Sequence, residues 1–505
     1  MFTQIVERHP DRVAVEHNGR ALTYRGLDEL VSRVALRLGD RPGVVGVRTS
    51  RSPGLVAELL GVLAAGGTYC PIDPAFPVDR QRAMVAAAGC RTVVDAETFP
   101  PSESGPDQGG VPDTAPGGDS GAHDLAPGGD DPASAYILFT SGSTGAPKPV
   151  AVPPGAITVA VRALRELFEL GPDDRVLQFA SLNWDTCFEE ILPAVTAGAA
   201  LVFDEEAHSG SFPRFLRMLE RRRITVLDLP TAYWHELVRH LAEERAALPP
   251  CVRLVVIGGE AAAPARLADW CELATAGIRL VNTYGSTETT LVTHAVDLHG
   301  PLAPRFDRPW RSAERVPIGR ALPHVRERIG EDGELLIGGP ALATGYPGRR
   351  EATEARFAGG AERWFRTGDR VERRPDGLLL HLGRLDGEVK VRGVRVDPAE
   401  VETHLTGHPE VAEVAVAAAE LAGRTALVAY VVAHPRTDTA GLAARLRGHL
   451  LARVPAHLVP GRIEIVPGLA RTASGKVDRA ASHRRYAGPQ PAGQQHTEQG
   501  QGGLR

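Results

Sequence analysis

Apolar positions in the first hundred residues follow two patterns that alternate along the chain. Residues 25–38 carry leucine and valine at helical spacing, and residues 55–65 are rich in leucine and alanine before a pair of glycines. Both segments are predicted to be helices. The short apolar runs that predict strands are 13–15, 22–24 and 44–47. Because alternating strands and helices are typical of a parallel sheet covered by helices, we expect an α/β fold.

More strands are predicted in the middle of the chain, and small or polar residues follow most of them. These segments are 136–139, 176–179, 200–203, 224–227, 253–260 and 279–284. In open α/β sheets, ligands bind outside the carboxyl ends of the strands. We therefore expect the loops after these strands to form a binding site.

The pattern changes in the later part of the chain. Residues 301–385 are richer in predicted strands, and residues 386–480 alternate short strands and helices. We predict a large α/β domain with a β-rich part over 1–385 and a small α+β domain over 386–480. Residues 99–134, in which Ala-Pro-Gly-Gly-Asp occurs twice, and the Gln/Gly-rich residues 481–505 are predicted to be disordered.

Composition and charge exclude several classes of protein. The 505 residues are 43% hydrophobic and 24% charged, as in ordinary globular proteins, and the net charge of −5 gives no basis for binding nucleic acid or an anionic membrane. No apolar run approaches the roughly 20 residues that span a bilayer. Charges come too early for a secretory signal, and the five dispersed cysteines form no Cys-x-x-Cys pair. We expect reduced thiols and a cytoplasmic protein.

A polar loop after the apolar run 136–139 is the strongest candidate for chemistry. It contains Thr140, Ser141, Gly142, Ser143, Thr144 and Gly145, and Lys148 follows it. Clustered backbone N–H groups and hydroxyls, with a nearby ammonium, are suited to bind polyphosphate. The spacing is not that of a Walker loop. The alternative interpretation is a flexible Ser/Gly linker.

This stretch resembles the phosphate loop of the adenylate-forming superfamily, and most closely that of amino-acid adenylation domains of nonribosomal peptide synthetases. The resemblance covers roughly residues 1–480 through an ordered series of motifs. It implies an α/β core with a mobile C-terminal lid and a hinge at Asp386. It also implies that ATP and an amino acid form aminoacyl-AMP with release of pyrophosphate. The acyl group would then pass to the phosphopantetheine thiol of a carrier protein.

The resemblance also assigns residues to the nucleotide. Tyr284 matches the residue that stacks on adenine, Asp369 the ribose carboxylate and Glu288 the ligand of Mg²⁺. The implied catalytic residues are Lys476, Thr144, Lys148 and Glu288. The implied ATP- or AMP-binding residues are Thr140, Ser141, Gly142, Ser143, Thr144, Gly145, Asn282, Thr283, Tyr284, Gly285, Thr287, Asp369 and Arg384.

Substrate class follows from the residues that match the family's amino-acid pocket. They are Asp185, Thr186, Glu189, Ala232, Val256, Gly258, Thr283, Leu291, Val292 and Lys476. Asp185 matches the carboxylate that pairs with the substrate amino group; the alternative is a helix N-cap. A second carboxylate, Glu189, is costly in an apolar pocket unless it is paired. We expect a diamino acid such as β-lysine, lysine or ornithine. The alternative is that Glu189 faces solvent or pairs within the protein.

Two prolines depart from the family pattern. Pro149 replaces a usual glycine and Pro154 a usual histidine. Proline fixes φ and removes an N–H, so altered loop dynamics are expected. No carrier motif follows residue 480, which suggests a free-standing enzyme that loads a carrier protein in trans, with an MbtH-like helper as an open question. The alternatives are an acyl- or aryl-CoA ligase, against which Asp185 argues, and an inactive nucleotide-binding homologue.

Overall fold

The computed structural model describes most of the chain. The described residues are 1–96, 134–140, 147–303, 315–360, 362–386, 388–391, 394–421, 424–471 and 477–487. They form two compact units, which divide between Val396 and Asp397. The predicted disordered loop 99–134 lies almost entirely outside the described residues.

The first unit contains ten α-helices among its described residues. They are α1 Phe2–Arg8, α2 Tyr24–Leu38, α3 Pro53–Ala64, α4 Val78–Ala88, α5 Pro154–Leu167, α6 Thr186–Ala197, α7 Phe212–Arg222, α8 Thr231–Glu244, α9 Pro264–Glu272 and α10 Arg350–Arg356. The helices predicted at 25–38 and 55–65 correspond to α2 and α3. The helices α1 and α4 were not predicted.

The strands of the first unit include counterparts of the predicted strands in the same order along the chain, but the strands at 92–95, 148–152 and 292–299 were not predicted. They are β1 Val13–His17, β2 Arg20–Thr23, β3 Val44–Arg48, β4 Thr68–Ile72, β5 Thr92–Asp95, β6 Tyr136–Thr140, β7 Lys148–Val152, β8 Arg175–Leu177, β9 Ala200–Phe203, β10 Val226–Pro230, β11 Leu254–Gly258, β12 Arg279–Gly285, β13 Val292–His299, β14 Arg320–Ala321, β15 Arg326–Ile329, β16 Glu334–Gly338, β17 Phe357–Ala358, β18 Trp364–Arg373, β19 Leu379–Arg384, β20 Val389–Val391 and β21 Val394–Val396.

Three large sheets organise these strands. A nine-stranded sheet has the order β14-β13-β12-β11-β10-β8-β9-β1-β2, and a five-stranded sheet has the order β5-β3-β4-β6-β7. Most neighbours in both sheets are parallel. The β-rich part is an antiparallel sheet of β15 to β19. The α/β prediction and the β-rich region are therefore confirmed.

The helices pack through apolar faces that the sequence pattern specifies. The buried residues of α2 include Leu27, Leu30, Val31 and Val34. The Thr23 hydroxyl caps this helix by accepting a hydrogen bond of 3.2 Å from the Gly26 N–H. A Cβ added at Gly61 of α3 would lie 2.4 Å from Val34. Glycine is therefore required where α2 and α3 approach most closely.

The two unusual prolines occupy positions that tolerate proline. Pro149 lies in β7, which is an edge strand. Ala151, two residues later, directs its N–H away from β6 to the carbonyl of Gly345, so the missing N–H of Pro149 also faces away from the β6–β7 ladder. Pro154 is in the first turn of α5, where its N–H would have no helical partner.

The second unit is a small α+β unit, as predicted. Its elements are α11 Pro398–Thr406, β22 Val411–Leu421, β23 Arg424–Ala433, α12 Leu442–Leu451, β24 Arg462–Ile465 and α13 Arg479–Tyr486. The three strands form one sheet in the order β22-β23-β24. The predicted start of the disordered tail at residue 481 is too early, because Arg479–Tyr486 form a helix. The Asp478 carboxylate caps this helix by accepting a hydrogen bond from the Ala481 N–H.

The domain boundary differs slightly from the predicted one. The hairpin β20–β21 belongs to the first unit, where Arg395 contacts Glu288. Asp386 precedes this hairpin, and its role as a hinge stays a prediction. Within the described part of the chain, every helix is too short or too polar to cross a membrane.

Candidate active site

A cavity of about 230 Å³ lies at the carboxyl ends of β10, β11 and β12. These neighbouring parallel strands end at Pro230, Gly258 and Gly285, and all three residues line the cavity. Its position follows the rule for open α/β sheets. The predicted site residues in its lining are Thr140, Asp185, Thr186, Glu189, Gly258, Thr283, Gly285, Thr287, Glu288, Leu291, Val292, Asp369 and Arg384.

Other predicted site residues lie elsewhere. Ala232 is on α8 and Val256 is buried within β11, and neither lines the cavity, so their contact with substrate stays a prediction. Asn282 is buried and donates its amide to the Pro317 carbonyl at 2.7 Å. The predicted site residues outside the described part of the chain are Ser141, Gly142, Ser143, Thr144, Gly145 and Lys476.

Asp369 is the centre of one polar cluster. Its carboxylate accepts hydrogen bonds from the Tyr284 hydroxyl at 2.6 Å, Arg384 Nη1 at 3.0 Å and His381 Nε2 at 3.0 Å. Burial opposes ionisation of Asp369, but the hydrogen bond from His381 and the charge of Arg384 outweigh it and hold the pKa well below its usual range. The Lys390 ammonium lies 5.6 Å from the centre of the Tyr284 ring.

Glu288 is the centre of a second cluster. It lies in a single 3₁₀ turn after β12 that is fixed by a capping box between Ser286 and Thr289. The carboxylate is fully buried, accepts from the Tyr346 hydroxyl at 2.9 Å and pairs with Arg395 at 3.3 Å. Burial raises its pKa, but Arg395 and Lys148 lower it more, to about 2. Glu288 is therefore an anion at neutral pH.

The donor set around Glu288 fits Mg²⁺ that is held chiefly by phosphate oxygens. Among the described residues, no group of three or more His, Cys, Asp or Glu side chains could hold a metal ion. Magnesium is commonly bound through one or two carboxylates together with substrate phosphates. Glu288 supplies one ionised carboxylate beside Thr287 in the cavity lining. The site thus fits Mg²⁺ with a nucleotide and does not resemble a closed, all-protein metal site.

Three more carboxyl groups lie in one region of the cavity lining. Asp185 is at the N-cap position of α6 but makes no capping hydrogen bond. Burial raises its pKa to about 6 and that of Asp228 to about 7. Burial, followed by Asp228 and Asp185, raises the pKa of Glu189 well above its usual value. These carboxyl groups therefore favour a cationic ligand.

The neighbouring Glu190 has a different role from Glu189. Its Oε1 accepts the N–H groups of Phe179 and Ala180, each at 2.9 Å, and its Oε2 accepts from Gln178 at 3.0 Å. Arg51 in turn donates to Gln178 at 2.6 Å. This network fixes the end of β8, where Ala180 contributes to the cavity lining.

Sequence reasoning missed three ionisable residues of the cavity lining: Asp228, Lys390 and Arg395. Asp228 was detectable as a charged residue within the apolar run Val-Leu-Asp-Leu-Pro at the end of a predicted strand. Lys390 and Arg395 belong to a basic hairpin whose proximity to Tyr284 and Glu288 depends on the tertiary structure.

Comparison with known proteins defines the class. The model of the AMP-binding enzyme family matches residues 2–347, and the model of the AMP-binding enzyme C-terminal domain matches residues 400–476. The chain therefore belongs to the AMP-binding enzyme family of AMP-forming ligases. This confirms the resemblance inferred from the motifs.

Individual relatives include parts of peptide synthetases. The chain is 41% identical over 494 residues to an isonitrile lipopeptide synthase of Streptomyces coeruleorubidus, covering 93% of this chain and 32% of that protein. It is 34% identical to the phosphinothricin tripeptide synthetase PhsC of Streptomyces viridochromogenes, covering 94% of this chain and 44% of that protein. The chain thus spans less than half the length of these relatives.

A solved structure supports the fold over nearly the whole chain. The amide bond synthetase McbA of Marinactinospora thermotolerans matches with a TM-score of 0.79 and 26% identity. The match covers 96% of this chain and 99% of McbA. Both units described above therefore have counterparts in an enzyme of known structure.

Proposed function

We propose that this protein activates an amino acid with ATP to form aminoacyl-AMP and release pyrophosphate. The observation that carries the proposal is the presence of Asp185, Glu288 and Asp369 in the lining of one cavity. Glu288 and Asp369 are ionised groups suited to a nucleotide site, whereas Asp185 offers a carboxylate to a substrate amine. The combination is chemically suited to a substrate that carries both an amine and the carboxylate to be activated.

Nucleotide binding is assigned chiefly to Asp369, whose ionisation and orientation suit contact with the ribose. Asp369 is ionised and already oriented by Tyr284, Arg384 and His381, as a carboxylate must be to accept two ribose hydroxyls. Asn282 is assigned to the nucleotide by the family resemblance alone, because it lies outside the cavity lining and its Oδ1 is buried without a hydrogen-bond partner among the described residues.

Charge stabilisation is assigned to cations and to Mg²⁺. In the proposed reaction, an oxygen of the substrate carboxylate bonds to the α-phosphorus while the bond to pyrophosphate breaks. Glu288 would hold Mg²⁺ together with the nucleotide, and the ion would supply Lewis-acid stabilisation of the negative charge. Lys148 carries a positive charge next to Glu288. Lys476 is proposed to stabilise the negative charge that develops in the transition state, and this role rests on the family resemblance alone.

We further propose a diamino acid, such as β-lysine, lysine or ornithine, as the substrate. Glu189 is buried in the cavity lining, where an uncompensated carboxylate is unfavourable. No ion pair to Glu189 is formed by the described residues, which supports a partner on the substrate. Asp185 would pair with the amine nearer the reacting carboxylate and Glu189 with the second amine.

The acceptor is proposed to be the phosphopantetheine thiol of a carrier protein. The similarity to two peptide synthetases supports this choice. The assay is run both with and without an MbtH-like protein, to test whether activity requires such a helper.

The test is amino-acid-dependent release of pyrophosphate by the purified protein. The panel comprises the proteinogenic amino acids, ornithine, diaminobutyrate, diaminopropionate and β-lysine, with fatty and aryl acids as controls. We expect release with amino acids and none with the control acids. Release only with fatty or aryl acids would instead support an acyl- or aryl-CoA ligase. ATP binding without release, even with an MbtH-like protein added, would support the inactive homologue.

A further inference from the structure

His294 is a fully buried histidine behind the candidate site. It lies in β13, directly opposite Tyr284 in the register of the antiparallel strand β12. The two rings meet edge to face, with their centres 5.7 Å apart and their planes at 75°. Because His294 lies outside the cavity lining, it can act on a ligand only through a neighbouring side chain. Tyr284, whose hydroxyl donates to Asp369, is such a neighbour.

Hydrogen bonds fix the orientation of the His294 ring. Its Nε2 donates to the Glu327 carboxylate at 2.6 Å. Its Nδ1 donates at 2.9 Å to the Thr293 hydroxyl, whose own proton is donated to the Tyr284 carbonyl at 3.1 Å. The second oxygen of Glu327 accepts from Arg373 at 2.6 Å. With both nitrogens engaged, the ring has one orientation and gives Tyr284 a rigid support.

Glu327 anchors His294 to the sheet that carries Asp369. Glu327 lies in β15 and Asp369 in β18, both in the antiparallel sheet, whereas Tyr284 and His294 belong to the nine-stranded sheet. The hydrogen bond from His294 lowers the pKa of Glu327 most, so that burial does not prevent its ionisation. Tyr284 is thus connected to the antiparallel sheet twice, through its own hydroxyl and through His294.

We propose that His294 is a positioning residue, which holds the Tyr284 ring so that its hydroxyl keeps Asp369 oriented towards the ribose of the nucleotide. The inference rests on the proposed function, in which Asp369 accepts the ribose hydroxyls. An edge-to-face contact of this kind corresponds to about 2- to 10-fold in affinity. The alternative is that His294 and Glu327 only join the two sheets, in which case their loss would weaken all nucleotides alike.

The experiment measures binding of two nucleotides to the purified full-length protein by calorimetry. The probes are AMP and its dideoxy analogue, which lacks both ribose hydroxyls. We expect the natural protein to prefer AMP, because only AMP offers donors to Asp369. In His294→Asn, the Kd of AMP should rise by about 2- to 10-fold, while the Kd of the dideoxy analogue stays unchanged. Glu327→Gln, which keeps the size of the anchor, should shift the preference in the same direction and carries the test if His294→Asn does not fold.

A Tyr284→Phe background tests whether the effect passes through the tyrosine. Phenylalanine keeps the ring but has no hydroxyl to orient Asp369, so His294→Asn should have little further effect on AMP binding in this background. The matched control is His17→Asn. His17 also meets an aromatic ring edge to face, that of Phe203 at 6.4 Å, but it lies in β1 towards the opposite end of the nine-stranded sheet. We expect this variant to keep the preference for AMP.

The outcomes separate the inference from the proposed function. An equal loss of affinity for both nucleotides in His294→Asn would show that the histidine only joins the sheets, and would overturn the inference. An equal effect of His294→Asn with and without the Tyr284 hydroxyl would also overturn it. If the natural protein binds AMP and activates amino acids but does not prefer AMP over the dideoxy analogue, the role of Asp369 and this inference both fail. Absence of AMP and ATP binding would overturn the proposed function itself.

Discussion

The Tyr284 hydroxyl donates a hydrogen bond of 2.6 Å to the carboxylate of Asp369, although the two residues are 85 positions apart. Arg384 and His381 donate to the other oxygen of the same carboxylate, each at 3.0 Å. The carboxylate is thus ionised and held in one orientation before any ligand binds. Preorganisation of this kind lowers the cost of binding a ribose.

Replacement of Asp369 by asparagine tests this arrangement. Asp369→Asn preserves the shape but removes the charge, and hydrogen bonds to charged groups contribute about 1.5–3 kcal/mol. We expect the KM for ATP to rise by about 10- to 100-fold, with a small effect on the KM for the amino acid. Initial rates of pyrophosphate release at varied ATP give both constants. Tyr284→Phe, which removes one donor and keeps the ring, should have the smaller effect on ATP; the reverse order would contradict this account.

The ion pair between Glu288 and Arg395 allows a test of coupling within the first unit. Removal of one partner of a buried pair leaves an uncompensated charge and typically costs about 3–5 kcal/mol. We expect Glu288→Gln and Arg395→Gln each to lower the free energy of unfolding substantially. The double variant should lose less than the sum, by about 1–3 kcal/mol, in urea titrations.

An exposed pair serves as the control for this cycle. Arg350 and Glu354 form an ion pair on the surface of α10, with most of both side chains exposed to solvent. We expect Arg350→Gln to leave the unfolding midpoint unchanged, because exposed pairs contribute little. Strict additivity at Glu288 and Arg395 would show that their contact does not contribute to stability.

The local parts of this fold were predictable, and the long-range contacts were not. The helical spacing of Leu27, Leu30 and Val34 specified α2, and the polar turn after each apolar run located the edge of the sheet at which the cavity lies. By contrast, Arg395 contacts Glu288 across 107 positions. That pairing depends on how a hairpin folds back over the sheet, which no local pattern specifies.

In the amino-acid pocket, too, some residues were predictable from the sequence and others depend on the folded chain. The resemblance to adenylation domains gave Glu189, and the structure places it in the cavity lining. The resemblance also gave Ala232, which lies on α8 outside that lining, while Asp228 in the preceding strand was overlooked. The Oδ2 atom of Asp228 is buried and has no hydrogen-bond partner among the described residues, and burial is a property of the folded chain rather than of the sequence pattern.

Pro149 allows a test of the inactive alternative, because this proline departs from the family pattern next to Lys148 of the phosphate loop. Because its position on the edge strand β7 removes no hydrogen bond to β6, restoring the usual glycine should have little effect. We expect Pro149→Gly to change the unfolding free energy by less than about 1 kcal/mol and the rate of pyrophosphate release by less than threefold. A large gain in rate on substitution would show instead that the proline limits turnover.

Burial of the Asp228 carboxyl group predicts an unusual dependence of the free energy of unfolding on pH. In the unfolded chain Asp228 ionises near its ordinary pKa of 3.8, whereas in the folded protein burial raises the pKa to about 7. Unfolding therefore releases a proton between these values, so the free energy of unfolding falls as pH rises from about 4 to 7 and stays lowered above that. Asp228→Asn removes this effect. Without an amino acid present, we expect the variant to gain roughly 1–4 kcal/mol relative to the natural protein between pH 4 and pH 8.

The contribution of Asp174 to the free energy of unfolding should change with pH in the opposite direction, so this residue controls for general effects of pH. Burial opposes its ionisation, but hydrogen bonds from Arg253 and the Gly171 N–H outweigh burial and lower its pKa. The stability that it contributes is present above its unfolded pKa and is lost as pH falls through the folded value. Asp174→Asn should therefore be most destabilising at neutral pH, where Asp228→Asn is most stabilising. Urea unfolding of the two variants at pH 5 and pH 8 distinguishes them. A shift of the same sign in both would contradict the assignment of Asp228 as a buried carboxyl group whose pKa is raised.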